Sequence, residues 1–517
     1  MRKAKLVPAL AVGVIGAALA SPAFAAAPSE ACDTASVQAM APPDTTVAFA
    51  ARQAGVCLVH GYVTTRDPGP NQVLFVLSMP DNFNGRYLYQ GVGGAAGQLP
   101  PISQELTREG YAVAGSDGGS GSKNGADFSF QSDPARALDF AWRGVHVSAT
   151  ATQKIAKAYY KRDAINRYIA GCSGGGHMGL ENAGRFARED FDGFIVGATP
   201  FVGSPYMANT FRIAQYLQTH PEGWIPPDLL RKADAAILAR YDEVDGARDG
   251  IIADSRDIGD FDVGILREVG FTPAQIATFN AIRQPYRFSA PGVAGDGVMP
   301  GYPITNVAAW SGFLTGTGPP PWPSTATTPV NTLFAKGAPF IHMMSDSMLR
   351  SRHPDLYYVD VGKPGELARL ALEPNAAATA DYEKLAKSGA RMIVYHGVND
   401  QADSYLDTLK STEALRARYP NAGEWLRVFP VAGMMHCAGG PGPTEIEEPL
   451  IDALVAWVEQ GLPPETVVAP RRSRDRGVER TFRLCAEPAR TALRAPGLDP
   501  RNAENWVCRA PSPQTRP

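Results

Sequence analysis

The sequence has almost no charge bias. Its 517 residues carry 49 Lys and Arg against 52 Asp and Glu, a formal net charge of −3. Without a basic excess there is no electrostatic footprint for a nucleic acid or an anionic membrane surface. None of the six cysteines stands in a C-x-x-C spacing, which removes the common zinc frameworks. No internal repeat is apparent, which removes solenoids and propellers. Beyond the first two dozen residues, no stretch is long and apolar enough to span a bilayer.

The N-terminus has a processing pattern. Arg2, Lys3 and Lys5 precede an apolar run from Leu6 to Ala20, and Ala23-Phe24-Ala25 follows. A short positive region, an apolar core and a small-x-small site predict a signal peptide over residues 1–25, removed on secretion to the periplasm or beyond. The competing reading is a single membrane helix, for which the run is short and rich in Ala and Gly. An even count of cysteines behind such a segment predicts three disulfides among Cys32, Cys57, Cys172, Cys437, Cys485 and Cys508, with the connectivity open. The 44 Pro and 52 Gly indicate many loops, while 44% hydrophobic residues argue against disorder.

A mature chain of about 490 residues is large for one core, so one domain with a sizeable insertion is expected. Apolar runs at 73–78, 86–90, 111–115, 167–170 and 191–196 read as strands. Asp133-Pro134 reads as an N-cap followed by a first helical residue, opening a helix that runs to about Tyr160. Another helix is expected from about Gly176 to Ala187. Strands alternating with helices predict an α/β fold with a largely parallel sheet covered on both faces. The rhythm breaks near Pro200 and resumes with strands at 392–395 and 426–429 and a helix at 449–459. The expected organisation is a catalytic domain from residues 26–200 and 390–517, interrupted by a lid at 201–389 of about 190 irregular residues. The lid carries Trp310, Phe313, Trp322, Phe334, Met343 and Met344. The tail beyond Ala469 is rich in Arg and Pro, and Cys485 and Cys508 should pin it down.

The chemistry centres on Gly171-Cys172-Ser173-Gly174-Gly175. A G-x-S-x-G that ends a strand and opens a helix is the context of a nucleophile elbow, where small neighbours let strand and helix approach closely. A serine hydroxyl needs a base, and in this fold the partners follow in the order serine, acid, histidine. Asp400 follows a late strand, with Asp403 as the competitor. His436 lies on a loop after the last strand. Of the other histidines, His177 and His396 read as structural, and His146 and His342 as core or pocket residues. Asp117, at the end of an early strand, also reads as structural.

Cys172 precedes the serine and Cys437 follows the histidine, so a correct triad brings these two cysteines close. For the oxyanion, one donor should be the Gly174 amide, and another should come from Gly93 or Gly94 in the early glycine loop. In the lid, Asp242-Glu243-Val244-Asp245-Gly246-Ala247-Arg248-Asp249-Gly250-Ile251 suits a hard cation as well as it suits a solvated acidic turn.

With these motifs the chain resembles the tannase and feruloyl esterase family. The resemblance rests on Gly171 to Gly176, on His396-Gly397-Val398-Asn399-Asp400, on His436-Cys437 and on the closing Trp457-Val458-Glu459-x-Gly461-x-Pro463. It implies an α/β-hydrolase fold with a lid, a Cys172–Cys437 bridge, and an ester hydrolase acting on a small or polymer-derived ester with an aromatic acyl group. It also implies a structural Ca2+ held by Asp242, Asp245 and Asp249 with the carbonyls of Ala247 and Ile251. The family usually has Thr and Arg where this chain has Gly174 and His177, and Cys where it has Tyr241, so the pocket wall and the lid differ. Two other readings stay open: a hydrolase of aliphatic hydroxyacid oligomers or polyesters, and a binding protein on the same scaffold that does not catalyse.

Overall fold

The computed structural model describes residues 31–201, 203–288, 297–323, 328–352 and 381–510. The segment read as a signal peptide lies outside them. Among the described residues no helix is long and apolar enough to cross a membrane.

Nine strands form the central sheet: β1 (Thr45–Gln53), β2 (Val56–Thr65), β3 (Asn71–Pro80), β4 (Arg86–Gln90), β5 (Ala112–Ser116), β6 (Asn166–Cys172), β7 (Gly193–Gly197), β8 (Arg391–Gly397) and β9 (Leu426–Val431). Their spatial order is β1-β2-β3-β5-β4-β6-β7-β8-β9. From β5 to β9 all neighbours run parallel. The first three strands form an antiparallel meander that joins β5 antiparallel. The expectation of a largely parallel sheet therefore holds for six strands and needs correction at one edge. β1 and β2 escape a pattern search because their outward positions mix polar and apolar residues along a half-exposed edge.

Side chains alternate across the sheet. Tyr87, Tyr89, Val196 and Val394 enter the core on one face. Leu88, Ile195, Ile393 and Tyr395 enter the core on the other. The register carries this alternation across strands, with Val394 opposite both Val196 and Val428. Both cores are roofed by helices, including α1 (Gly144–Tyr160) and α2 (Gly174–Phe186) on one face and α8 (Glu447–Gln460) on the other. Asp133 does cap the helical run that leads into α1, accepting from the amides of Ala135 and Arg136.

The chain between β7 and β8 is helical where the sequence pattern looked irregular. It holds α3 (Gly203–Thr219), α4 (Pro227–Tyr241), α5 (Pro273–Arg283) and α6 (Phe340–Arg352). α5 starts on a full capping box, Thr272 with Gln275, and both α4 and α5 begin with Pro. The insertion has a core of its own in which Trp310 and Trp322 are buried. A further helix, α7 (Tyr405–Arg418), follows β8. Beyond α8 the tail forms two hairpins, β10 (Thr466–Arg472) with β11 (Val478–Cys485) and β12 (Arg490–Leu493) with β13 (Trp506–Arg509). These arginine-rich strands carry little apolar alternation, so the sequence showed only that the tail was tethered.

Three disulfides are present: Cys32–Cys57, Cys172–Cys437 and Cys485–Cys508. No cysteine is free.

Candidate active site

Ser173 joins β6 to α2 with φ 57° and ψ −124°, a region costly for a residue with a side chain. The turn is held by its own backbone: the Ser173 amide donates to Gly197 and its carbonyl accepts from His177, each at 2.9 Å. Glycine is required here by close approach. A Cβ on Gly175 would lie 2.7 Å from the Gly91 carbonyl carbon, and a Cβ on Gly174 would lie 2.5 Å from the Gly94 oxygen. The loop with Gly93 and Gly94 thus packs directly on the start of α2. The Gly174 amide is among those a helix cannot satisfy internally, and the positive end of the helix dipole faces the same space.

Asp400 sits in the turn after β8 and is buried. Its Oδ1 accepts from the amides of Ala402 at 2.8 Å and Asp403 at 3.0 Å. Its Oδ2 faces the Nδ1 of His436 at 2.9 Å and the Nε2 of His396 at 3.1 Å. His436 lies on the loop after β9, whose path is fixed when Asn399 donates its amide to the Met434 carbonyl at 3.0 Å. Burial alone would push the Asp400 carboxyl up. The imidazoles of His436 and His396 outweigh it and hold the carboxyl well below its usual range. For His436 burial works downward, and the charge and hydrogen bond of Asp400 reverse it, raising the imidazole to about 9. Asp403, the sequence competitor, has Oδ2 3.8 Å from the same Nδ1, and burial raises its carboxyl to about 6.

Ser173, Gly174, Gly93, Gly94 and His436 line one cavity of about 1210 Å³. Cys172 and Cys437 lie in the same wall, with their Cα atoms 5.8 Å apart. Phe128 and Phe140 come from the sheet domain, and Met207, Phe313, Phe340 and Met344 from the insertion. The Phe313 ring lies 5.7 Å from the His436 ring. Of the insertion residues singled out in the sequence, Trp310 and Trp322 serve its core, while Phe313, Phe334, Met343 and Met344 reach the cavity. The contributions of Phe128 and Tyr206 carried no sequence signal, because only the packing of the insertion brings them together.

The other histidines singled out in the sequence have local contacts of their own. His396 bonds Thr408 at 2.8 Å as well as Asp400. His146 stacks on Phe186 and bonds Asp190 at 2.8 Å. The Nε2 of His342 bonds the Trp322 carbonyl at 3.1 Å. His177 lines the cavity beside Phe140, and burial keeps its imidazole neutral, with a pKa lowered to about 4. Asp117 receives the amides of Leu74 and Gly119, a structural role.

The acidic loop lies away from this cavity. Asp242 accepts from the Gly250 amide at 3.0 Å, and Asp245 from the amides of Ala247 and Ala253, each at 3.0 Å. Asp249 accepts from the Ile251 amide and pairs with Arg480 of β11. Burial raises Asp245 to about 7, and the nearby charges of Asp249 and Asp242 add to the effect. The oxygens are of the hard type a calcium ion takes, and the crowding of negative charge is what a cation would relieve. Among the described residues no three acidic, His or Cys side chains converge on one point. An ion would therefore have to draw Asp249 from Arg480.

Comparisons with known proteins agree with one another. Residues 57–508 match the family described as tannase and feruloyl esterase. A protein described as probable feruloyl esterase B-2 from Aspergillus terreus is 27% identical, covering 88% of this chain and 86% of its own length. The mono(2-hydroxyethyl) terephthalate hydrolase of Piscinibacter sakaiensis is also 27% identical, covering 88% of this chain and 85% of its own length. Feruloyl esterase B from Aspergillus oryzae superposes with a TM-score of 0.74 at 21% identity, covering 92% of this chain and 100% of that one. The tannin acyl hydrolase of Aspergillus niger gives 0.71 at 19%, covering 93% and 95%. The chain belongs to the tannase and feruloyl esterase family and is a carboxylic ester hydrolase of the α/β-hydrolase fold.

Proposed function

We propose that this is a secreted serine esterase that cleaves an aromatic carboxylic ester through Ser173, His436 and Asp400. The observation that carries the reading is the 2.9 Å bond from His436 Nδ1 to buried Asp400, in a wall shared with Ser173. His436 Nε2 takes the proton as Ser173 Oγ attacks the ester carbonyl, and Asp400 orients the ring and stabilises the imidazolium. The oxyanion is received by the Gly174 amide and by Gly93 or Gly94, each such donor being worth roughly 10²–10³ in rate. His436 returns the proton to the leaving alcohol, and water then releases the acid from Ser173.

The aromatic acyl group is supported by the Phe and Met lining of the cavity, since rings and thioethers pack well against a flat π surface. It is supported too by the substrates named for the relatives. The disulfides support export to an oxidising compartment. Calcium belongs to the same proposal: Asp242, Asp245 and Asp249, with the carbonyls of Ala247 and Ile251, would hold it, and its contribution would be to the stability of the insertion.

The test is hydrolysis of methyl ferulate, methyl gallate, mono(2-hydroxyethyl) terephthalate and a 3-hydroxybutyrate dimer, with Ser173→Ala as control. Turnover of an aromatic ester that disappears in the variant is expected. Turnover of the aliphatic dimer alone would discard the aromatic acyl group, and activity surviving in Ser173→Ala would discard the nucleophile.

A further inference from the structure

His436 has two carboxylates beside its Nδ1, and only one is satisfied. Asp400 spends its oxygens on two amides and two imidazoles. Asp403 does not. Its amide is built into the Asp400 turn, which sends its side chain along the imidazole, with Oδ2 3.8 Å from Nδ1. The Tyr206 hydroxyl of α3 hydrogen-bonds the carboxylate. Oδ1 is buried and has no hydrogen-bond partner.

A buried carboxylate oxygen without a donor is expensive, and native structures rarely keep one idle. Of the other groups facing Asp403 only His396 can carry positive charge, and it leaves Oδ1 without a partner. Tyr302 gives its proton to the Ala402 carbonyl. Asp407 of α7 and Asp400 are acids. His396 directs Nε2 to the Asp403 carbonyl oxygen at 3.0 Å as well as to Asp400. The positive charge that matches this carboxylate appears when His436 takes the Ser173 proton.

We infer that Asp403 is a second positioning residue for His436, stabilising the imidazolium in parallel with Asp400 and holding the ring when Asp400 is removed. The inference rests on the Ser173–His436–Asp400 reading. No new bond or proton transfer is involved: the proton moves from Ser173 Oγ to His436 Nε2 and on to the leaving group, and Asp403 stays ionised.

The experiment uses the full mature chain and 4-nitrophenyl acetate, so that the nature of the natural acyl group does not enter. Asp403→Asn is expected to lower kcat about tenfold with KM nearly unchanged, less than the roughly 10²–10⁴-fold of a full acid–base contribution, because Asp403 acts only through His436. Titration of His436 followed by NMR should shift downward in Asp403→Asn and return in Asp403→Glu. In an Asp400→Ala background, Asp403→Asn should cost about tenfold more than it does alone, because the surviving carboxylate then carries the whole load. Asp403→Ser serves if the Asn variant does not fold. An unmoved His436 titration, or the same rate factor with and without Asp400, would overturn the inference. Activity surviving in Ser173→Ala would instead overturn the site reading, and the titration, which needs no turnover, would still decide on Asp403.

Discussion

Cys172 and Cys437 are bonded to each other, and each is the immediate chain neighbour of a residue assigned to catalysis, Ser173 or His436. The sequence separation is 265 residues, so the bridge joins the first half of the sheet to the last loop across the whole insertion. In the chain-entropy account, closing so long a loop stabilises by roughly 5–6 kcal/mol, although native-state effects can reduce that. Replacing both cysteines by Ala is expected to lower the melting temperature and to lower kcat more than it raises KM. Loosening the bridge lets serine and imidazole drift apart, and a misplacement of about 1 Å can cost on the order of 10²-fold. Wild-type kcat in the double variant would show that backbone hydrogen bonds alone position the pair.

The pH dependence follows from the environment of His436. The reaction needs the neutral imidazole, and Asp400 favours the charged one. kcat/KM should therefore fall on the acid side with a midpoint above the ordinary histidine value of about 6.5. For stability the signs run oppositely for the two partners. The raised His436 stabilises most at pH below its unfolded value, and that contribution is lost as pH climbs toward about 9. The depressed Asp400 stabilises above its own unfolded value, and that contribution is lost as pH falls through its lowered value in the native state. A profile of kcat/KM against pH, corrected with Ser173→Ala, measures the limb. A midpoint at or below 6.5 would mean that Asp400 does not govern the base.

Much of this site is legible in the sequence because its parts are local. The elbow needs small residues within two positions of the serine, and the acid and base turns follow apolar strands, so Ser173, Asp400 and His436 stand out from chain pattern alone. The closeness of Cys172 and Cys437 is legible from their neighbours. The antiparallel edge strands and the helices of the insertion are not. β2 alternates in burial, but its outward positions include Val56, Leu58 and Tyr62, so polarity does not alternate along its sequence, and β1 alternates only in part. α4 and α5 are short amphipathic helices that bury their faces in a separate core, and between them the chain has many turns. The cavity wall is only half legible, because Phe313 and Trp310 look equivalent in sequence and only packing sends one to His436 and the other to the insertion's core.

The acidic loop makes a prediction about stability. Calcium added to chelator-treated protein should raise the melting temperature, in proportion to RT ln(1 + [L]/Kd), and elemental analysis should find metal in the untreated protein. Asp245→Asn should abolish the shift while leaving Ser173 chemistry nearly intact, since none of the loop's residues lines the cavity. Because Asp249 pairs with Arg480, Arg480→Ala should make the protein more dependent on calcium by removing the competing cation. A melting curve indifferent to chelator and calcium would identify the loop as a turn neutralised by Arg480.

Gly174→Ala sets two effects against each other. At a helix start alanine is the better helix former by up to about 1 kcal/mol, which favours stability. The added Cβ, however, would stand 2.5 Å from the Gly94 oxygen and 3.0 Å from the Gly94 nitrogen. Both are backbone atoms, so the glycine loop itself must move, and Gly94 holds φ +59° against the Gly125 backbone with little freedom to do so. The steric effect should win where it matters for rate, because the same loop carries a proposed oxyanion donor. The expected result is a fall in kcat of roughly 10–10²-fold, below the full cost of a lost donor, with a melting temperature within a few degrees of wild type. Unchanged kcat would place the second donor outside the Gly93–Gly94 loop. A large drop in melting temperature with kcat preserved would mean that the contact between loop and helix serves the fold and not the oxyanion.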